Sequence, residues 1–164
     1  MIIKRIEDCG EKQKIARRIL EALPAWFGID EARETYIKES ADQLFLAALD
    51  GNQATGFLCL KETGKDTLEL SVMGVLKEYH RRGIGKQLFL NAKKLAMEKG
   101  YAFLQVKTVQ TGRCEEYDNT NRFYRSLGFQ EFEVFPTLWG EGNPCQIYIM
   151  PLRQIPICRG IKIR

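Results

Sequence analysis

VLKEYHRRGIGKQLFL, residues 75–90, closes a strand, brackets Ile84 between Gly83 and Gly85, and opens an amphipathic helix without a linker. A turn of this kind suits phosphate. Glycine lets the backbone approach a ligand with no Cβ in the way, and the unpaired N–H groups of the first helical turn converge on one point. Arg81, Arg82 and Lys86 add positive charge around it. A Walker A loop is excluded because Gln87 follows Lys86, where Ser or Thr is needed, and a dinucleotide fingerprint is excluded because Leu88 stands where a third glycine belongs. An ordinary strand-to-helix turn is the plainer alternative.

Working outward, the pattern alternates strands and helices without repeats. Ile2–Ile6 reads as a strand, and Asp8 with Glu11 starts a helix running to about Leu23, stopped by Pro24. A second helix is predicted over Asp30–Ser40, then a hairpin of Gln43–Leu49 and Thr55–Lys61 around Asp50-Gly51-Asn52, then a strand over Thr67–Leu76. After the glycines, Ile84, Leu88, Phe89, Ala92, Leu95 and Ala96 share one helical face, and Gly100 ends the helix. Phe103–Val109 reads as a strand and Thr120–Leu127 as a helix closed by Gly128. Phe129–Phe135 and Gln146–Met150 read as the last strands.

The 164 residues suit one domain, here residues 1–152, followed by a basic tail, 153–164. The net charge of +4 resides in that tail: Arg153, Arg159, Lys162 and Arg164 leave 21 basic against 21 acidic residues elsewhere, out of totals of 25 and 21. A neutral body argues against a nucleic-acid partner, although binding through the tail would show as steep salt dependence. The start is interrupted by Lys4, Arg5, Glu7 and Asp8, so no signal peptide, membrane span or membrane partner is expected, and the location expected is cytoplasmic. Five scattered cysteines and one histidine, with no C-x-x-C pair, point to reduced thiols and no metal.

His80-Arg81-Arg82-Gly83-Ile84-Gly85 resembles motif A of the GNAT superfamily of acetyl-CoA-dependent N-acetyltransferases. It departs at His80, where Arg or Gln is usual, and at Lys77, often proline. A second stretch, Asn119-Thr120-Asn121-Arg122-Phe123-Tyr124-Arg125-Ser126-Leu127-Gly128-Phe129, resembles the family segment ending in Phe-Tyr, two residues and hydrophobic-Gly-Phe, with Thr120 where alanine is common. The element order matches the family's to about Leu152. The resemblance implies an α/β fold with a mixed sheet of about six to seven strands flanked by helices and splayed at the cofactor site. It implies acetyl-CoA as cofactor, with CoA as product, and transfer to a primary amine of a small molecule or protein by direct attack in a ternary complex. Homodimers are frequent in the family. A catalytically silent CoA-binding regulatory or interaction module is the alternative.

The resemblance places the pyrophosphate on His80, Arg81, Arg82, Gly83, Ile84, Gly85 and Lys86 and the pantetheine arm beside Asn119, with Asn121 an open alternative. It implies a bulged, splayed strand at Met73, Gly74 and Val75, whose freed amides face the cofactor and supply an oxyanion donor near Val75; Gly74 suits the bulge, or merely relieves crowding against a helix. Tyr124 lies where the family has a tyrosine near the sulfur. A phenol with a pKa of about 10 matches a thiolate and would serve as general acid, the alternative being a core tyrosine. Glu69, fourteen residues before Gly83, shares the offset of the glutamate base in histone-acetylating members. Strand alternation would set Leu68, Leu70 and Val72 on one face and Glu69 and Ser71 on the other, toward a cleft. A water relay, or Glu115, Glu116 and Asp118 in the loop before the tyrosine helix, are alternatives. Trp26 and Phe27 in one Gly/Pro loop and Trp139 in another are candidate acceptor-binding residues, the tryptophans otherwise plugging the core. Cys145 has no histidine near it in sequence and is read as structural or substrate-lining.

Overall fold

The structure, a computed structural model, describes residues 1–152; the basic tail lies outside the described residues. Strand β1 (Ile2–Ile6) leads into α1 (Cys9–Glu21), which starts where the Asp8 carboxylate accepts the Glu11 N–H at 2.7 Å. Its buried face, Ile15, Ala16, Ile19 and Leu20, packs on the sheet. Pro24 begins a one-turn helix α2 (Pro24–Phe27), because at a first helical position its missing N–H costs nothing. Then come α3 (Asp30–Ser40), β2 (Leu44–Asp50), β3 (Gln53–Gly64), β4 (Thr67–Val75), α4 (Ile84–Glu98), β5 (Phe103–Val109), α5 (Glu115–Ser126), β6 (Gln130–Phe135) and β7 (Cys145–Pro151). Helix α5 starts at Glu115 rather than Thr120: Glu115, Glu116 and Asp118 are first-turn residues stabilised by the positive end of the helix dipole, not members of a loop.

The seven strands run in the order β1-β2-β3-β4-β5-β7-β6. Among the described residues only β4 and β5 are parallel neighbours. Helices α4 and α5 cover one face over a core with Leu58, Leu68, Leu88 and Leu104, and α1 with α3 covers the other over Phe45, Phe57 and Ile19. Among the described residues, no helix is long and apolar enough to cross a membrane.

Two features of β4 create the site. Its parallel pairing with β5 runs only from Thr67↔Phe103 to Leu70↔Val106, whereas β5 stays bonded to β7 as far as Val109↔Cys145. Beyond Leu70 the two strands therefore diverge. The second feature is a bulge. Leu60 pairs with Leu70 and Cys59 with Val72, so Ser71 is the extra residue. The bulge thus lies at Ser71, not Gly74, and it reverses the alternation: Leu68 and Leu70 face the α4 side, but Val72 joins the α1 side while Met73 and Val75 take the α4 side.

Gly74 serves close packing. A Cβ there would lie 2.9 Å from Ile19 Cγ2 and 3.3 Å from both Leu23 Cδ1 and Phe57 Cε1. Gly74→Ala is expected to cost about 1–3 kcal/mol by overpacking, and urea denaturation measures it; an unchanged midpoint would show that α1 has room to retreat.

Candidate active site

The divergence of β4 and β5 opens a cleft of about 1160 Å³ whose walls come from α2, α3, β4, the glycine turn, β5, α5 and the loop before β7. That exceeds the roughly 300–1,000 Å³ of an ordinary small-ligand pocket and leaves space for a long cofactor and a second substrate together. A smaller chamber of about 280 Å³ adjoins it, sharing Tyr36, Ser71, Lys107 and Trp139 with the cleft and adding Lys61, Glu69 and Leu138.

The edge of β4 follows from its register. Leu76 N–H donates to Thr55 C=O, so alternation directs the Gly74 amide to β3 and turns those of Met73 and Val75 toward the cleft, where no strand faces them. Of the three residues expected at the cofactor, Met73 and Val75 therefore present backbone donors and Gly74 does not. The Val75 carbonyl is occupied: His80 Nε2–H donates to it at 2.7 Å. His80 replaces the family's Arg or Gln as a strut that ties the turn to the strand end, with Trp26 edge-on at 5.8 Å.

The glycine turn fits a diphosphate. Arg81 has φ +60° and Gly83 φ +77°, the left-handed kinks that make successive N–H groups converge. Helix α4 has no side-chain cap and no acid in its first turn. Its first intrahelical donor is Gln87, bonded to Gly83 C=O, so the N–H groups of Ile84, Gly85 and Lys86 have no helical acceptor. A Cβ at Gly83 would meet nothing within 4 Å, and one at Gly85 would come within 3.1 Å of Phe123 Cζ, so the first glycine leaves room for a ligand and the second lets α4 approach α5. Arg81 and Lys86 line the cleft, while Arg82 lies over the Tyr79 ring at 5.0 Å, outside the lining.

Helix α5 supplies the opposite wall. Asn121 is fully buried, its amide donating to Val109 C=O (2.9 Å) and Tyr117 C=O (2.7 Å) and its oxygen accepting from the Tyr148 hydroxyl (2.6 Å). It ties α5 to β5 and β7 and has no group left for a ligand. Asn119 lines the cleft and accepts from Arg122 at 2.6 Å. Tyr124 is buried among Phe123, Phe129 and Tyr148, but it lines the cleft, and its hydroxyl has no hydrogen-bond partner among the described residues and is not sealed from solvent. Burial raises its pKa, so the phenol stays protonated through neutral pH.

Glu69 faces the smaller chamber. Both its contacts fall on Oε2, from Lys107 Nζ at 2.8 Å and Gln105 Nε2 at 3.2 Å, leaving Oε1 unpartnered and open to the chamber. Trp26, Phe27 and Trp139 all line the cleft. Trp26 packs partly buried against the α1-side core, its indole N–H donates to Thr120 Oγ1 (3.2 Å) and its carbonyl accepts from the Tyr117 hydroxyl (2.7 Å), so α2 is strapped across to α5. Trp139 is 38% exposed. Glu115, Glu116 and Asp118 lie outside the cleft lining, and Asp118 accepts from Gly112 N–H. Cys145 is buried, its thiol pushed up to about 11 by desolvation, which leaves it a poor nucleophile.

Sequence reasoning missed Lys107, Tyr36 and Tyr117. Lys107 is the one charged residue of the strand FLQVKTV, a visible oddity, but its partner emerges only from the register Glu69↔Gln105. Tyr36 reaches the cleft from α3 one turn beyond Arg33, a placement set by how α3 packs on α1.

Comparisons with known proteins bear on this geometry. The family model described as an acetyltransferase (GNAT) domain matches residues 40–131, more than half of the chain. A Bacillus subtilis (strain 168) protein named uncharacterized N-acetyltransferase YsnE is 29% identical over 91 residues, 56% of this chain and 58% of that protein. Among solved structures, a GNAT-family protein from Desulfovibrio desulfuricans is 19% identical, with 93% of this chain and 99% of that one covered at a TM-score of 0.81. An aminoglycoside 6'-N-acetyltransferase complexed with coenzyme A is 17% identical, with 95% and 99% covered at a TM-score of 0.73. At these identities the structural likeness is one of fold.

Proposed function

Because the chain belongs to the GNAT acetyltransferase family, we propose that it moves an acetyl group from acetyl-CoA to a primary amine by direct attack within a ternary complex. The observation that carries this reading is the unpartnered Tyr124 hydroxyl, opening between the diverged strands on the side where Met73 and Val75 present free backbone amides. Acetyl-CoA supplies the thioester carbon that the amine attacks and the thiolate that leaves.

The chain's own groups then divide the work. The amides of Ile84, Gly85 and Lys86, with Arg81 and the Lys86 ammonium, hold the diphosphate, and Asn119 and the Met73 backbone hold the arm. The Val75 N–H, which has no strand partner, would be the donor to the acyl oxygen, and one donor of this kind is worth about 2.7–4 kcal/mol. Glu69 Oε1 takes the proton lost by the amine, and Tyr124 gives a proton to sulfur. Atoms balance: a nitrogen–carbon bond forms, the carbon–sulfur bond breaks, and one proton leaves nitrogen as one reaches sulfur.

Melting with and without acetyl-CoA, followed by thiol release on adding amines, tests the proposal; no shift and no release would overturn it. A shift without release would instead describe a silent CoA-binding module. Glu69→Gln is expected to lower kcat/KM about 10²-fold at neutral pH, with acetyl-CoA affinity unchanged. An unaltered kcat/KM would assign the amine's proton to water.

A further inference from the structure

Resting on that reading, we propose that the acceptor is a free amino acid with an apolar or aromatic side chain, its carboxylate paired with Lys107 and its amine with Glu69. The charges of the acceptor chamber carry the argument. Its walls hold Lys61 and Lys107 against a single carboxylate, Glu69. Lys61 is paired with Glu39 at 3.6 Å and Lys107 with Glu69 at 2.8 Å, so the charges around the chamber are close to balanced, and Glu69 is the carboxylate in its lining. A polyamine or a polycationic sugar would bring several ammonium groups to one lining carboxylate whose charge Lys107 already balances, and like charges brought together in a partly dry cavity repel.

A zwitterion is the complement of this arrangement. Lys107 spends one N–H on Glu69 Oε2 and keeps two donors, with its side chain 26% exposed, while Glu69 Oε1 has no partner. An ammonium at Oε1 and a carboxylate on Lys107 would extend the existing pair into a four-member array of alternating charge. The remaining wall is largely apolar: Tyr36, Leu138 and Trp139, with Leu138 52% and Trp139 38% exposed. That surface suits an aliphatic or aromatic side chain. The product keeps its carboxylate and carries the acetyl group on nitrogen.

Calorimetric titration of the CoA-loaded protein tests this, using the proteinogenic L-amino acids, phenethylamine and isoamylamine as the decarboxylated partners of phenylalanine and leucine, phenylalaninamide, spermidine and kanamycin. An apolar L-amino acid is expected to bind roughly tenfold or more tighter than its decarboxylated amine or its amide, the scale of a hydrogen bond to a charged group. Lys107→Met should erase that preference, and Lys107→Arg should restore much of it. Binding of no amino acid, equal binding of acid and amine, or tighter binding of spermidine or kanamycin would overturn the assignment. The comparison within the wild-type protein needs no variant and so survives misfolding of either mutant. Acetyl-CoA binding is scored first by melting: an absent shift overturns the cofactor reading and this one with it, whereas a normal shift without amino-acid selectivity overturns only the acceptor.

Discussion

Tyr124→Phe is expected to lower kcat about 10²–10³-fold, within the usual reach of general acid catalysis, with no loss of acetyl-CoA binding and almost none of stability. The separation of these effects is unusual for a buried tyrosine. Removing a buried hydroxyl usually strands its partner at about 1–3 kcal/mol, but this hydroxyl has no partner in the described protein, and the ring's contacts with Phe123, Phe129 and Tyr148 survive the change. Burial raises the phenol above the ordinary tyrosine pKa, so the acid is present through neutral pH. The same dry surroundings disfavour an anion on sulfur, so donor and acceptor remain matched. Stopped-flow thiol release together with a urea melt checks both halves. A variant with full kcat would return Tyr124 to a packing role, and one that unfolds early would mean the hydroxyl holds a structural water.

Gly83→Glu should abolish the acetyl-CoA thermal shift. Gly83 sits at φ +77° in the turn, a conformation that costs a non-glycine residue about 1 kcal/mol. The larger effect is electrostatic. The added carboxylate would occupy open space directly before the free amides of Ile84, Gly85 and Lys86, placing a negative charge where the diphosphate belongs. A ligand at about 100 times its dissociation constant adds about 2.7 kcal/mol to stability, and the variant should lose all of it while melting within a few degrees of the ligand-free parent. Retention of the shift would move the diphosphate elsewhere in the cleft. Gly85 is the less informative position, because a side chain there strikes Phe123 and disturbs the α4–α5 contact as well as the ligand.

Local chemistry was enough to read the element order and the glycine turn before α4. Asp8 capping, the hairpin glycine, the apolar face of α4 and the paired glycines each act over a few residues, so their physics is written in adjacent letters. The start of α5 was misplaced because its acids read equally well as a solvated loop and as a stabilised first helical turn. The two asparagines could not be separated in sequence. They differ only in which way the helix turns them, Asn121 into the β5–β7 contact and Asn119 into the cleft.

What the chain determined by itself is therefore the α/β order, the family resemblance and the glycine turn that opens α4, all consequences of short-range backbone preference and side-chain periodicity. The tertiary structure alone decided the rest. One extra residue at Ser71 reverses the faces of β4, a change invisible to alternation because it depends on what β3 offers opposite. The early end of the β4–β5 ladder frees the Met73 and Val75 amides, and the register of that ladder places Lys107 on Glu69 across 38 residues of sequence. Strand divergence and cross-strand charge pairing are properties of two segments at once, and neither segment carries them alone.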